Sequence, residues 1–197
     1  VERVLATPLP DAQANRASEA LHLGRLAPAQ CLVELEFHYP LAPIRADGLR
    51  RLLAASPWAE ALALQPALER LGFGAIQGHL KGFIDLVFQA DGRWYLADYK
   101  SNWLGSAPAD YRPERLAEAI AEEAYFLQYL LYIIALHRYL GGRLPDYDYG
   151  RHFGGVFYLF LRGMDPATDP ANGVFYDRPP RELIQALDAY LAAGEGA

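Results

Sequence analysis

The feature that most constrains this chain is a turn, Asp91-Gly92, set between two apolar runs, GFIDLVFQA and RWYLADYKSNWLG. Asp-Gly between alternating hydrophobics is the strongest short-range signal for a β-hairpin, because a type I′ turn requires positive φ at both central residues. A two-residue loop pairs Ala90 with Arg93, and that register sets Asp85 opposite Asp98 and Phe83 opposite Lys100. A four-residue loop keeps the same register, whereas a three-residue loop with a bulge shifts it. Directly opposed side chains share a face, with Cβ atoms about 4.5–5.5 Å apart. Asp98 and Lys100 lie two residues apart, so they share a face as well. Two acids and a lysine are therefore expected on one patch of a hairpin whose flanks read as core.

Opposed carboxylates repel each other unless something positive lies between them. A hard divalent cation with oxygen ligands suits the place, and Mg2+ needs only one or two protein carboxylates alongside water and phosphate. Two other readings stay open. Asp85 as an edge-strand charge, with Asp98–Lys100 as a surface ion pair, would be structural only. A glycosidase-type carboxylate pair is the second, although that chemistry does not need the lysine.

The rest of the chain surrounds this hairpin with ordinary globular material, 52% hydrophobic and 21% charged. Residues 1–30 are Ala- and Pro-rich without clear period and read as a linker or N-terminal arm. QCLVELEFHYPL (30–41) predicts a strand in which Val33, Leu35 and Phe37 alternate with Glu34, Glu36 and His38. Residues 49–71 predict helical pieces broken near Pro57 and Pro66, and Gly72, Gly74 and Gly78 punctuate the approach to the hairpin. One long helix is expected over about 112–140, entered at Pro113, stopped by Gly141-Gly142 and acidic in its early turns (Glu114, Glu118, Glu122, Glu123). RHFGGVFYLFLRG (151–163) predicts a strand buried on both faces, then a loop, then a C-terminal helix RELIQALDAYLAAG. The order predicts a mixed α/β fold, a central sheet with helices on both sides.

Composition excludes several classes. A net charge of −6 argues against a generally basic nucleic-acid-binding surface, but not against phosphate held locally by a cation and a few arginines. Lys81 and Lys100 are the only lysines. The lone Cys31 precludes an internal disulfide and suits a reducing cytoplasm. Neither a secretory leader nor a membrane span is expected, and no P-loop motif occurs.

The spacing D-x(12)-D-x-K across a hairpin, together with GFIDLVF, LADYKSNWLG, LQYLLYIIALHRYL and GGVFYLFLRGM, resembles a known family. It is that of the PD-(D/E)XK nuclease domains at the C terminus of RecB subunits of bacterial RecBCD (exodeoxyribonuclease V). Ile84 stands where the family usually has proline, and the resemblance runs from about Cys31 to the end. It implies a restriction-endonuclease-like mixed central β-sheet flanked by helices. Residues 31–197 would form the nuclease domain, truncated on its N-terminal side.

The resemblance further implies metal-dependent hydrolysis of DNA phosphodiester bonds in double-strand-break repair and recombination. Asp85 and Asp98 would be the metal carboxylates, the Tyr99 main-chain carbonyl a third ligand, and Lys100 the catalytic lysine that orients or deprotonates the attacking water. Mg2+ would be the cofactor, with Mn2+ or Ca2+ able to substitute. Gln128 and Tyr132 match the family's Q-x-x-x-Y motif; their i, i+4 spacing puts them on one helical face, with Tyr125 and Tyr139 near. They would position DNA or the metal's surroundings; the structural alternative is a Gln at a sheet edge and a packed Tyr.

RecC, RecD and RecA would be partners alongside DNA. The family's upstream metal-binding histidine has no counterpart that can be carried over, since His22 in EALHLGRL lies too close to Asp85. His38, His79, His137 and His152 read as surface or satisfied histidines, and Lys81 as a solvated flank. The alternative function is a non-catalytic docking module that loads RecA, using helices such as 182–193.

Overall fold

The structure of this chain, a computed structural model, describes residues 1–10 and 20–194. A five-stranded sheet in the order β1-β2-β3-β4-β5 is flanked by helices. Its strands are β1 (Cys31–Ile44), β2 (Ile76–Ala90), β3 (Arg93–Lys100), β4 (Phe153–Phe160) and β5 (Val174–Asp177). β2 and β3 pair antiparallel, β3 and β4 parallel, and β4 and β5 antiparallel, so the sheet is mixed as the sequence predicts. The β2–β3 register pairs Ala90 with Arg93 and continues without slip to Leu86 with Ala97.

The turn between them has φ of 48° at Asp91 and 74° at Gly92, the two positive values that a type I′ hairpin demands. Because an L-residue loses about 1–2 kcal/mol in the left-handed region, Gly92→Ala should destabilise the chain by about 1 kcal/mol. A urea titration that found no change would show that the turn does not hold this geometry.

Backbone packing divides the chain into two units. The first draws on Val1–Leu35, Ile84–Glu118 and Phe153–Asp177, the second on Glu36–Phe83, Ala119–His152 and Arg178–Ala197. The first unit contains β3, β4, β5 and the end of β2. All eight residues of β4 are buried, as the unbroken apolar run predicts for a strand covered on both faces. Phe88, Tyr95 and Phe157 stack against one another in its core, joined by Leu86, Leu159, Met164 and Val174.

The N-terminal residues, expected as a linker or arm, carry structure of their own. α1 (Glu2–Ala6) precedes an isolated bridge between Leu9 and Leu21, and Leu9 and Leu23 are buried in that same core. Leucines without helical or strand period give no sequence signal, although burial of Leu9 and Leu23 removes both side chains from water. The segment between them, residues 11–19, lies outside the described residues.

The second unit holds the helices α2 (Ala46–Ala54), α3 (Pro57–Ala61), α4 (Gln65–Arg70), α6 (Tyr125–Gly141), α7 (Tyr149–His152) and α8 (Arg181–Ala193). The expected breaks occur: Pro57 and Pro66 each sit in the first turn of a short helix, where a missing N–H goes unnoticed. The long helix expected over 112–140 is instead two, α5 (Pro113–Glu122) and α6, separated at Ala124 with φ 54° and ψ 29°. A left-handed alanine ends the i→i−4 ladder without a proline or glycine to announce it, so periodicity alone reads straight through.

Two further expectations need correction. β5 lies in the stretch read as a loop, because a four-residue edge strand is shorter than any useful alternation window. In β1 the alternation holds from Leu35 to Tyr39 but not before. Glu34 has φ 52°, which interrupts the pleat, and Val33 is exposed rather than inward.

Candidate active site

The paired register of the hairpin runs from Ala90–Arg93 to Leu86–Ala97, one residue short of the expected Asp85–Asp98 pair. Asp85 is the residue just before Leu86, the last that pairs with Ala97. Its carboxylate Oδ2 accepts a 2.9 Å hydrogen bond from the Tyr99 main-chain N–H, which binds it to β3 beside Asp98. Asp98 is only 4% exposed, and its Oδ1 lies 2.6 Å from the Lys100 Nζ. Lys100, 9% exposed, also sits with its ammonium 4.7 Å from the Tyr158 ring centroid. That ring comes from β4, whose parallel pairing with β3 sets Tyr158 beside Asp98 and Phe160 beside Lys100.

The electrostatics follow from that burial. Taking a carboxylate out of water disfavours its charged form, so burial holds the Asp98 carboxyl above its ordinary 3.8. The Lys100 ammonium pulls in the opposite direction through its hydrogen bond and charge, and the nearby Asp85 carboxylate adds to the rise. The Tyr99 hydroxyl is likewise raised, by burial first and then by Asp85 and Cys31. Two carboxylates against one ammonium leave an excess negative charge in a half-desolvated place.

A divalent cation fits that donor set, because hard oxygen ligands of like charge become favourable only with a positive centre among them. Among the described residues no cluster of three or more His, Cys, Asp or Glu side chains gathers anywhere. A cation here would thus rely on main-chain, water or phosphate oxygens for its remaining positions, as Mg2+ characteristically does.

The raised carboxyl gives a pH-dependent expectation. A folded Asp98 that titrates above 3.8 contributes stability below that pH and loses the contribution as pH rises through its folded value. In a chelating buffer, the urea midpoint of wild type should therefore fall relative to that of Asp98→Asn between about pH 4 and neutrality. Parallel profiles would show that burial does not dominate at Asp98.

Gln128 and Tyr132 occupy α6 in the second unit. The Gln128 side-chain amide donates a 2.9 Å hydrogen bond to the Tyr132 hydroxyl, the one-face pairing that i, i+4 spacing predicts. Tyr132 also meets Phe37 edge-on at 5.7 Å between centroids. The other flagged residues have ordinary surroundings. Lys81 pairs with Glu36 at 2.7 Å, His38 stacks on His79, and His22 Nδ1 lies 3.0 Å from the Ala6 carbonyl. His137 Nδ1 lies 3.0 Å from the Tyr147 hydroxyl, and the Asp148 main-chain N–H donates to His152 Nδ1 at 2.9 Å.

Sequence reasoning missed Tyr158, which supports Lys100 from β4. Its strand was legible, but the parallel neighbour was not, since nothing local in GGVFYLF specifies which strand it joins.

Comparison with known proteins adds the following. A model of the PD-(D/E)XK nuclease superfamily matches residues 2–194, including residues ahead of Cys31. The chain is 43% identical over 181 residues to RecBCD enzyme subunit RecB of Escherichia coli (strain K12), which covers 91% of this chain and 15% of that protein. It is 58% identical over 120 residues to the Haemophilus influenzae subunit of the same name, covering 61% of this chain and 10% of the relative. Against that of Mycobacterium tuberculosis (strain CDC 1551 / Oshkosh) the figures are 39% over 206 residues, 95% and 19%. The chain thus spans less than a fifth of each of these relatives.

Proposed function

This chain belongs to the PD-(D/E)XK nuclease superfamily, and from that premise we propose that it hydrolyses phosphodiester bonds of DNA with Mg2+ as its cofactor. The observation that carries the reading is the Asp85–Asp98–Lys100 cluster on the β2–β3 hairpin, with the buried Asp98 bonded to Lys100 at 2.6 Å. Asp85, Asp98 and the Tyr99 main-chain carbonyl would hold the cation; Mn2+ or Ca2+ would occupy the same oxygen set. When bound, such an ion neutralises phosphate charge and makes the phosphorus more open to attack.

The side chains supply the rest. The Lys100 ammonium is fixed between Asp98 Oδ1 and the face of Tyr158, so it can meet charge that develops on the reacting phosphate without first reorganising. The same fixed position lets it orient the attacking water in line with the leaving oxygen. Gln128 and Tyr132 would position DNA or the surroundings of the cation.

The similarity to RecB subunits supports a wider setting. The parent protein would process double-strand breaks for recombination in the cytoplasm, in company with RecC and RecD and acting with RecA. No single helix among the described residues is long and apolar enough to cross a membrane. The docking alternative, in which α8 receives RecA, draws less support. The apolar residues of that helix, Leu183, Ile184, Leu187 and Leu191, are buried in the fold rather than presented to a partner.

The experiment is a digestion of linear DNA across a Mg2+ titration, with Lys100→Ala as control. Cleavage that rises with Mg2+ and falls by about 10²-fold or more in the mutant agrees with the reading. Cleavage unaffected by chelation or by the mutation refutes it.

A further inference from the structure

The segment that leaves the catalytic hairpin carries the most exposed tryptophan-sized surface in its unit. Trp103, three residues beyond Lys100, is 66% exposed. Large aromatic side chains are normally mostly buried, and an isolated Trp left in water forfeits much of its transfer free energy. Its ring is nonetheless held in place. The Arg162 guanidinium lies 5.8 Å from the ring centroid, and Arg162 Nε donates a 2.9 Å hydrogen bond to the Ser101 carbonyl in the same segment. The Leu161 N–H donates to the Lys100 carbonyl at 3.0 Å, which ties the loop after β4 to the end of β3.

Among the described residues Arg162 forms no ion pair; its contacts are the Ser101 carbonyl and the Trp103 ring. Arg3, by contrast, is paired with Asp165 at 3.0 Å. Trp103, Arg162, Arg3, Asp165, Ser106 and Tyr111 are among the residues that line a cavity of about 230 Å³. Three extended residues span at most about 11 Å, so this aromatic surface is within a nucleotide or two of the Asp98–Lys100 pair.

We propose that Trp103 and Arg162 form a platform for the substrate strand, with an unpaired base stacked on the indole and the adjoining phosphate bound to the guanidinium. The proposal rests on the nuclease reading for its substrate and adds the contact that holds a single strand at the site. An exposed π-face and a cation fixed beside it are the two elements that sequence-tolerant single-strand binding uses, since every base offers a face to stack. A protein partner could also cover Trp103. Among the described residues the charged neighbour has no carboxylate partner, and this together with the proximity to the carboxylate pair favours nucleic acid.

The test is fluorescence anisotropy of a labelled oligo-dT on the full chain, at low salt and in EDTA so that nothing is cut. Trp103→Ala should weaken binding by about tenfold and Trp103→Phe should recover most of that loss. Arg162→Gln should reduce the slope of log affinity against log salt by about one phosphate contact. An oligonucleotide of abasic sites should bind wild type and Trp103→Ala alike. Equal affinity of wild type and Trp103→Ala for oligo-dT, or no binding by wild type, overturns the platform; the first result would leave a protein contact as the role of Trp103. Trp103-dependent binding by a chain that fails to cut in Mg2+ would sustain the platform and refute only the hydrolytic reading.

Discussion

Asp98→Ala is expected to leave the chain folded and to abolish the proposed cutting of DNA, with the initial rate of phosphodiester cleavage falling by about 10³-fold or more. The size of the effect follows from how many roles converge on one carboxylate. Asp98 is proposed as an oxygen ligand of the cation, and it also fixes the Lys100 ammonium at 2.6 Å. Its removal therefore weakens cation binding and releases the lysine from a defined position, and losses of groups that act as a unit are not additive. Asp85→Ala should be comparably inactive, since Asp85 is proposed to complete the oxygen set and accepts from the Tyr99 N–H. Their combination should be little worse than either alone.

The fold should survive, because burial already holds the Asp98 carboxyl above its ordinary range and its charge does not favour the folded state. A wild-type circular dichroism spectrum, beside a DNA digestion assay, checks both halves; the urea midpoint should fall, because the buried Lys100 ammonium loses its 2.6 Å partner. Normal cutting by both single mutants would remove these residues from the site.

Phe157→Ala should destabilise the chain by about 3–5 kcal/mol, a shift in Tm of about 10 °C for a domain of this size. Phe157 is fully buried in β4 and its ring meets three others: Phe88 at 6.3 Å, Tyr95 at 5.9 Å and Tyr176 at 5.1 Å between centroids. Truncation opens a cavity whose walls are themselves rigid rings on three other strands, β2, β3 and β5, so little of the volume can close. Because Phe157 pairs with Ala97, one residue from Asp98, the loss should also loosen the ledge that holds Asp98 and Lys100. Activity measured well below the new Tm should therefore fall as well. A mutant whose Tm moves by less than about 3 °C would show that this ring cluster is not the unit's main source of cohesion.

The physical logic of the site lies in where polar groups were accepted into an apolar strand. A strand such as β3, with Tyr95, Leu96 and Ala97 buried, would ordinarily continue with apolar residues. It continues instead with Asp98 and Lys100, both buried, which satisfy one another and leave Asp85 as an additional negative charge near by. Each of these charges opposes folding unless it is paired. Their combination on one hairpin is what the proposed cation site requires, and membership of the PD-(D/E)XK superfamily is consistent with that proposal.

What the sequence by itself determined was local. The Asp91-Gly92 turn dictated positive φ at two residues, the turn dictated the register, and that register runs toward Asp85 on one strand and toward Asp98 and Lys100 on the other. Short-range rules suffice there, since a tight turn leaves a strand pair no freedom to slip. Pro57 and Pro66 set helix starts for the same reason, a covalent restriction acting within one turn. Only the tertiary structure decided that β4 lies parallel to β3 with Tyr158 under Lys100, that Arg162 reaches Ser101 and Trp103, and that Leu9 and Leu23 join the core. Those contacts join segments far apart in the chain, and their free energy comes from burial that no local pattern encodes.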